Sequence, residues 1–161
     1  MEWFAPNKEH VFWQQIINNI NYVVNQDIQH MITVGADSQT YENSTVYIVV
    51  ICIVSDCEPF KRNYYFSRIK EKKEYSLYNR IYKEAKLSID IATAIKDLTS
   101  SACNIDVHLD ISSPEARAKT SKYAKGLMHL VNAFDFDVSI KPNSWAASSI
   151  ADKHSKKGKK K

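Results

Sequence analysis

Two strand signals, the first interrupted by an acid, lie in one stretch of the sequence, ITVGADSQTYENSTVYIVVICIVS at residues 32–55. Residues 45–55 form a long β-branched apolar run, which is typical of a central strand buried on both faces. Residues 31–37 predict the strand before it, and Asp37 stands where the next core residue would fall. Asp37 is therefore either a turn residue that ends this strand or a carboxylate held there for chemistry.

Hydrophobic periodicity extends this pattern into an alternating α/β chain. It predicts a helix at 8–26, strands at 31–37, 45–55 and 61–70, a helix at 74–98, a strand at 104–112, a helix at 114–133, a strand at 136–142 and a last helix at 143–155. Pro142 is expected to separate the last strand from the last helix, and Asn143 or Ser144 is expected to be the N-cap of that helix. The order β-β-β-α-β-α-β-α behind an extra N-terminal helix implies an α/β fold with a five-stranded mixed sheet flanked by helices.

The composition is that of a soluble globular protein with one hydrophobic core. Of the 161 residues, 44% are hydrophobic and 25% are charged. Five of the 22 Lys and Arg residues lie in the last seven positions, so the rest of the chain holds 17 basic against 18 acidic residues. We predict a single domain at 1–154 and a basic, flexible tail at 155–161, which either attracts phosphate or only improves solubility.

Signals for a nucleotide cofactor or a membrane are lacking in the sequence. Its three glycines leave no Gly-rich loop, which excludes the dinucleotide fingerprint and the P-loop. Its three cysteines lack a metal-type spacing, and Cys52 lies inside an apolar run. The start, MEWFAPNKEH, does not resemble a signal peptide, and no apolar run reaches membrane-spanning length. We therefore expect a cytoplasmic protein with no membrane association.

Glu84 is an acid on the apolar side of the predicted helix at 74–98. At about 100° per residue it falls in the middle of an apolar stripe, which is formed by Leu77, Ile81, Ser88, Ile91 and Ile95. A core-facing glutamate is costly unless it is paired, protonated or bound to a metal. A buried salt bridge, or a stripe wide enough for Glu84 to reach solvent, would also explain this position.

Three further acids lie near the ends of predicted elements. Asp37 and Asp110 end strands that could be parallel neighbours, and ligands in α/β sheets gather at the carboxyl ends of strands. Asp152 lies in the last predicted helix, where His154 stays unassigned. Taken singly, Asp37 and Asp110 fit turn or cap residues, and Asp152 fits an exposed acid near a terminus.

Together, four such carboxylates would suit a hard cation. Mg²⁺ and Mn²⁺ prefer oxygen ligands and bind where several carboxylates meet a substrate phosphate. Two such ions, about 3.5–4 Å apart, can hold the attacking and leaving oxygens of an in-line phosphoryl displacement. Mg²⁺ or Mn²⁺, as two ions, is therefore the expected cofactor.

The order of elements and acids resembles the ribonuclease H-like fold. More closely, four blocks resemble the YkuK-type ribonuclease H-like family over roughly residues 10–154, namely VGADSQ, RIYKEAKLSIDIA, VHLDIS and KPNSWAASSIADK. The resemblance implies a catalytic metal site made of Asp37, Glu84, Asp110 and Asp152. In that site Asp37 would bridge both ions, while Asp110 and Glu84 would hold one each. Asp152 would complete the water-activating side.

The sequence departs from the family's pattern at two positions. Ala36 stands where the pattern has a threonine, and Asp135 stands where it has a glycine after the second helix. Neither position is one of the four acids, so the predicted site is retained.

Basic and aromatic residues interleave at 61–73, KRNYYFSRIKEKK. This pattern suits phosphate contacts combined with base stacking, and it suits equally an edge strand with one solvated basic side. Lys141, at the entrance to the last helix, could approach a substrate phosphate. We predict nucleic-acid contacts from Lys61, Arg62, Tyr64, Arg68 and Lys141.

The predicted function is a metal-dependent nuclease that hydrolyses phosphodiester bonds of RNA, DNA or a hybrid. A water activated at one ion would attack phosphorus, while the second ion stabilises the leaving 3′ oxygen. The alternative is a non-catalytic nucleic-acid-binding module that keeps the fold and uses the basic strand and tail. A partner-binding protein without a nucleic-acid role is a third hypothesis. The sequence leaves the substrate and the oligomeric state open.

Overall fold

A computed structural model describes residues 1–26, 28–56, 58–99 and 103–155. In chain order, the strands and α-helices within these ranges are β1 (Trp3–Phe4), β2 (His10–Val11), α1 (Trp13–Val24), β3 (His30–Thr40), β4 (Ser44–Ser55), β5 (Arg62–Lys72), α2 (Leu77–Leu98), β6 (Ile105–Leu109), α3 (Ala124–Asn132), β7 (Asp137–Ser139) and α4 (Asp152–Ser155). A π-helix at Ala146–Ala151 leads into α4. None of the helices in the described ranges has the length and apolar character needed to span a membrane.

The strands form one mixed sheet in the order β2-β1-β5-β4-β3-β6-β7. β3, β4 and β5 form the predicted antiparallel meander, whereas β6 pairs in parallel with β3 and with β7. This arrangement confirms the α/β fold class and the order of its main elements. The sheet has seven strands instead of the predicted five, because the N-terminal segment adds β1 and β2 at the β5 edge. The first helix therefore begins at Trp13 and not at residue 8.

Helices α1, α2 and α3 cover one face of the sheet, which we call the helical face. Their apolar side chains pack against alternate residues of the central strands, including Val34 on β3, Ile51 on β4 and Val107 on β6. β4 is buried along nearly its whole length, as its continuous apolar run predicted. The larger hydrophobic core of the protein lies on this face.

The π-helix and α4 cover the opposite face, which we call the C-terminal face. A smaller apolar cluster lies there, in which Ala146 and Ala151 pack with Ile48 and Val50 of β4. Gly35 on β3 faces the π-helix, and a Cβ atom at this position would lie 2.9 Å from the backbone nitrogen of Ala147. The missing side chain of Gly35 thus permits the close approach of the two backbones.

The helix predicted at 114–133 is α-helical only from Ala124 onward, so its first half was predicted wrongly. Two short 3₁₀ turns, at Pro114–Ala116 and Ser121–Tyr123, replace it. Arg117 ends the first turn in a left-handed conformation with a φ of 51°. Hydroxyl groups of Thr120 and Ser121 accept hydrogen bonds from backbone N–H groups of the same segment, and such local bonds compete with a helix.

The C-terminal region also differs in detail from its prediction. The last predicted helix, 143–155, begins as the π-helix, and its N-cap is Trp145, without a side-chain cap bond. Neither Asn143 nor Ser144 therefore serves as the predicted cap. Of the predicted basic tail, residues 156–161 lie outside the described residues.

Candidate functional site

Asp37 lies near the carboxyl end of β3 and reaches the segment that covers the C-terminal face. Ser155 of α4 donates a hydrogen bond from its Oγ to Asp37 Oδ2 at 2.8 Å. Burial raises the pKa of Asp37 to about 6; the Ser155 hydrogen bond opposes this rise, and the charges of Asp110 and Asp152 add to it. Asp37 is therefore a carboxyl group that readily binds a proton or a cation near neutral pH.

Glu84 approaches the same strand end from the helical face. Glu84 is 7% exposed, which agrees with the core-facing position predicted from the sequence. Ser38 donates a hydrogen bond from its Oγ to Glu84 Oε1 at 2.5 Å. Burial raises the pKa of Glu84 to about 8, against the lowering effect of Ser38, and the charges of Asp37 and Asp110 contribute to the rise. Because successive strand residues point to opposite faces, β3 presents Asp37 to one face and Ser38 to the other.

Asp110 directly follows β6, the parallel neighbour of β3. Lys141 Nζ lies 3.0 Å from Asp110 Oδ1, and the two charges attract, although the angles of the contact leave that buried oxygen without a hydrogen bond. The backbone N–H of Lys141 also donates to the carbonyl oxygen of Ile111 at 3.0 Å. Lys141, which the sequence predicted as a phosphate contact, therefore lies beside one of the four acids.

Asp152 is placed by the π-helix, whose start is fixed by a buried histidine of β6. The backbone N–H of Ala146 donates to His108 Nδ1 at 3.1 Å, so His108 Nε2 is the nitrogen that donates to Asp106 Oδ2, at 3.0 Å. Ser139 Oγ donates to the same Asp106 oxygen at 2.8 Å. This network joins β6 and β7 to the segment that carries Asp152.

Electrostatic interactions connect all four predicted acids. Asp37 interacts with Asp110 and Asp152, and Glu84 interacts with Asp37 and Asp110. Within the described parts of the chain, however, no three His, Cys, Asp or Glu side chains are arranged so that they could hold a metal ion. The acids are thus gathered at the carboxyl ends of β3 and β6 without a coordinating arrangement.

Arg68 is the predicted β5 contact that the sheet register brings toward this cluster. It pairs with Ile48 of β4, and Ile48 pairs in turn with Asp37 of β3. Directly paired residues share a face, so Arg68 and Asp37 lie in one row two strand spacings apart, or about 10 Å.

The other predicted β5 contacts lie away from the acids. Arg62 is six residues from Arg68 along the strand, or about 20 Å, and Lys61 lies 3.7 Å from Glu58. Tyr64 is covered by the C-terminal segment, with its Oη 3.2 Å from His154 Nε2. The structure therefore does not bring Lys61, Arg62 or Tyr64 to the acid cluster.

Several supporting residues of the site were not predicted from the sequence. Ser38 had a local signal, because it follows Asp37 in a strand and must point to the opposite face. Ser155 and His108 had none, since their contacts join residues 118 and 38 positions apart. Gly35 had a weak signal as an isolated glycine within a strand, which often marks close approach of another backbone.

The protein has a mixed α/β sheet with acids at the carboxyl ends of two parallel strands, and comparison with known families shows which family has this sequence. Residues 14–156 match the ribonuclease H-like family, and the chain belongs to this YkuK-type family. The N-terminal RNase H domain of a Mycobacterium tuberculosis protein, solved as a fusion with maltose binding protein, is similar over 79% of this chain and 94% of that chain, at 12% identity and a TM-score of 0.37. No curated protein matches the chain in sequence. Membership of the family indicates a nuclease or nucleic-acid-binding role.

Proposed function

We propose that this protein is a metal-dependent nuclease whose catalytic site consists of Asp37, Glu84, Asp110 and Asp152. The observation that carries the proposal is that three of these acids converge at one end of the sheet from different elements. Asp37 and Asp110 follow the paired residues Ala36 and Leu109 of β3 and β6, and Ser38, next to Asp37, donates a hydrogen bond to Glu84. Burial and mutual repulsion raise the pKa of Asp37 to about 6 and that of Glu84 to about 8. A divalent cation would offset both effects by supplying the positive charge that the cluster lacks.

The donor set fits Mg²⁺ or Mn²⁺. Four carboxylates offer only oxygen ligands, which hard cations prefer, and the buried Oδ1 atom of Asp110 already lies 3.0 Å from a cation, the Nζ of Lys141. Asp37, Glu84 and Asp110 would hold the ions. Bound cations would supply positive charge for the phosphate and lower the pKa of water.

The protein's own groups would orient these ligands and the substrate. Ser38 and Ser155 each donate a hydrogen bond to one carboxylate and so fix its direction. Lys141, once separated from Asp110, would pair with a phosphate oxygen of the substrate, and Arg68 would contact a neighbouring phosphate. Asp152 is partly exposed, so it would accept the proton of the attacking water at a carboxylate that solvent can reach.

A cleavage assay tests this proposal. Labelled single-stranded RNA, single-stranded DNA and an RNA/DNA hybrid are incubated with wild type, Asp37→Asn and Asp97→Asn, with Mg²⁺, with Mn²⁺ or with EDTA. Asp97 is an exposed acid of α2 and serves as the matched control. We expect metal-dependent cleavage by wild type and Asp97→Asn and none by Asp37→Asn. Equal cleavage by Asp37→Asn, or no cleavage of any substrate by wild type, would refute the nuclease.

A non-catalytic nucleic-acid-binding module is the second candidate. It is favoured by the finding that, in the ranges the structure describes, no three potential ligands are arranged to hold a metal ion. The raised pKa of Glu84, about 8, also leaves this residue mostly protonated at pH 7 in the metal-free protein. Such a module would bind nucleic acid in EDTA, Asp37→Asn would bind equally well, and the cleavage assay would show no product.

A further inference from the structure

A surface separate from the acids and from β5 presents a group of three tyrosines, of which two are exposed and one is partly buried. Tyr78 and Tyr82 lie one turn apart on the first half of α2, and Tyr123 immediately precedes α3. The ring centroid of Tyr78 lies 5.9 Å from that of Tyr82 and 5.1 Å from that of Tyr123. Tyr78 is 44% exposed and Tyr82 is 40% exposed. We call these three residues the tyrosine cluster.

A basic cavity adjoins the tyrosine cluster. It has a volume of about 380 Å³, lies in the segment 112–125, and is lined by Pro114, Arg117, Ala118, Ser121, Lys122 and Lys125. The segment contains four basic residues and one acid, Glu115. Lys122 also lines a cavity of about 310 Å³ at the tyrosine cluster, and its Nζ lies 4.8 Å from the ring centroid of Tyr123. Because they share Lys122, the basic cavity and the tyrosine cluster form one continuous surface.

This surface lies at the same end of the sheet as the four acids. Arg80, on the first half of α2, donates from Nη1 to Thr40 Oγ1 at the end of β3. The backbone N–H of Ser112, two residues after Asp110, donates to Thr120 Oγ1 at 3.0 Å and so ties the basic segment to the end of β6. The tyrosine cluster and the basic cavity are thereby anchored to the two strand ends that carry Asp37 and Asp110.

We propose that this surface binds single-stranded nucleic acid, with bases stacked on the tyrosine cluster and phosphates held in the basic cavity. Aromatic stacking combined with phosphate neutralisation is the physical basis of sequence-tolerant single-strand binding. Charge complementarity favours this occupant, because none of the described residues that line the two cavities is acidic. The inference rests on the proposed function, for which it specifies the substrate as an unpaired strand that approaches the acids along α2 and α3.

The stacking contribution is tested by fluorescence anisotropy with the full chain in EDTA, with short labelled oligo-dT and oligo-U as separate probes. Tyr78 contacts both other rings, so Tyr78→Ala is expected to weaken binding about 10-fold, whereas Tyr78→Phe retains the ring and the affinity. Tyr22 is a tyrosine of α1 with 48% exposure, and Tyr22→Ala is the matched control with unchanged affinity. Tighter binding of oligo-U than of oligo-dT by wild type would identify RNA as the preferred strand.

The phosphate contribution is tested by the salt dependence of the same binding. Lys122→Gln/Lys125→Gln is expected to reduce the slope of log affinity against log salt by about 1.4, since each phosphate contact of a single strand contributes about 0.7. Lys8→Gln/Lys86→Gln removes the same charge elsewhere and should leave the slope unchanged. Inorganic polyphosphate, which has no bases, should lose affinity with the lysine pair and retain it with Tyr78→Ala.

The inference is overturned if wild type binds neither oligonucleotide at low salt. It is also overturned if folded Tyr78→Ala binds within about twofold of wild type, or if Tyr22→Ala weakens binding as much. Because these measurements use EDTA, they do not depend on catalysis. Tyrosine-dependent binding without any metal-dependent cleavage would refute the nuclease and retain the binding surface.

Discussion

The helical face and the C-terminal face hold the two acids with raised pKa values by different means. On the helical face, Glu84 belongs to α2, a 22-residue helix packed over the large hydrophobic core. On the C-terminal face, Asp37 is covered by a six-residue π-helix and a four-residue α-helix, packed largely through small residues. A short element with a small core has lower local stability than a long one that packs over a large core.

This difference assigns the two faces distinct parts in the proposed site. The helical face provides a fixed acid, because moving Glu84 would require unpacking α2. The C-terminal face provides an acid whose surroundings can rearrange, because Asp37 is held by Ser155 of the four-residue helix α4. A 2.5 Å hydrogen bond from Tyr41 Oη to the carbonyl oxygen of Ser155 would have to break in such a rearrangement. We expect cation binding to reorganise the C-terminal segment while α2 stays in place.

The largest effect on stability is expected from a cavity on the helical face. Ile51→Ala removes a fully buried side chain from β4 and should lower the free energy of unfolding by about 2–5 kcal/mol, as measured by urea denaturation. Ile150→Ala, at a partly buried site of the C-terminal cluster, should cost less than half as much. Equal costs for the two variants would show that the two faces contribute equally to stability.

A smaller effect, confined to the C-terminal face, is expected from Gly35→Ala. The new Cβ would lie 2.9 Å from Ala147 N, so the π-helix must shift, at a cost of about 1–3 kcal/mol. Hydrogen exchange should become faster at 146–155 and stay unchanged in α2. Gly126→Ala is the matched control, since a Cβ there meets nothing within 4 Å and alanine favours the helix. Unaltered exchange at 146–155 would contradict the close approach at Gly35.

Glu84→Gln should reveal the cost of a buried charge. Because the folded-state pKa of Glu84 is raised from 4.5 to about 8, the folded state binds more protons in this window, and the free energy of unfolding falls as the pH rises through it. The free energy of unfolding of Glu84→Gln does not fall in this way. It should exceed that of wild type by about 1–3 kcal/mol at pH 8 and differ little from it near pH 5. Parallel stability curves for the two proteins across this range would disprove the raised pKa.

The smallest effect is expected from Ser155→Ala. Loss of the hydrogen bond to Asp37 should cost about 0.5–1.5 kcal/mol in unfolding experiments. Since this bond lowers the pKa of Asp37, its removal should raise that pKa further above about 6, as read from an NMR titration of the carboxyl carbon. Ser148→Ala, which removes a hydroxyl bonded to the carbonyl oxygen of Ser144, should leave the titration of Asp37 unchanged.

The main elements could be predicted because their periodicity is carried by long segments. The continuous apolar run of β4 and the apolar stripe of α2, with Glu84 in its middle, both correspond to the observed burial. The short β1 and β2 could not be predicted, because two-residue strands have no periodicity. Asp135, which stands where the family's pattern has glycine, adopts a φ of 59°, a left-handed conformation that Asp tolerates better than most residues.

The candidate site was predictable in its acids and less so in their surroundings. Asp37, Asp110 and Asp152 lie near the ends of predicted elements, and Glu84 lies on the apolar stripe of its helix. The family resemblance implied that the four acids belong to one site. The contacts that orient them, such as Ser155 with Asp37, join distant parts of the chain and leave no local pattern. The tyrosine cluster illustrates both cases, since Tyr78 and Tyr82 share a helix face in sequence whereas Tyr123 comes from another element.

The most direct test of the proposed metal site is a calorimetric titration with Mn²⁺ at pH 8, where protons compete with the cation less than they do at pH 7. We predict that wild type and Asp97→Asn bind Mn²⁺ and that Asp37→Asn binds at least about 10-fold more weakly. Glu84 should then titrate with a lower pKa in the presence of Mn²⁺, because a bound cation favours its charged form. No Mn²⁺ binding by wild type, or equal affinity in Asp37→Asn, would contradict the proposal that these four acids form a metal site.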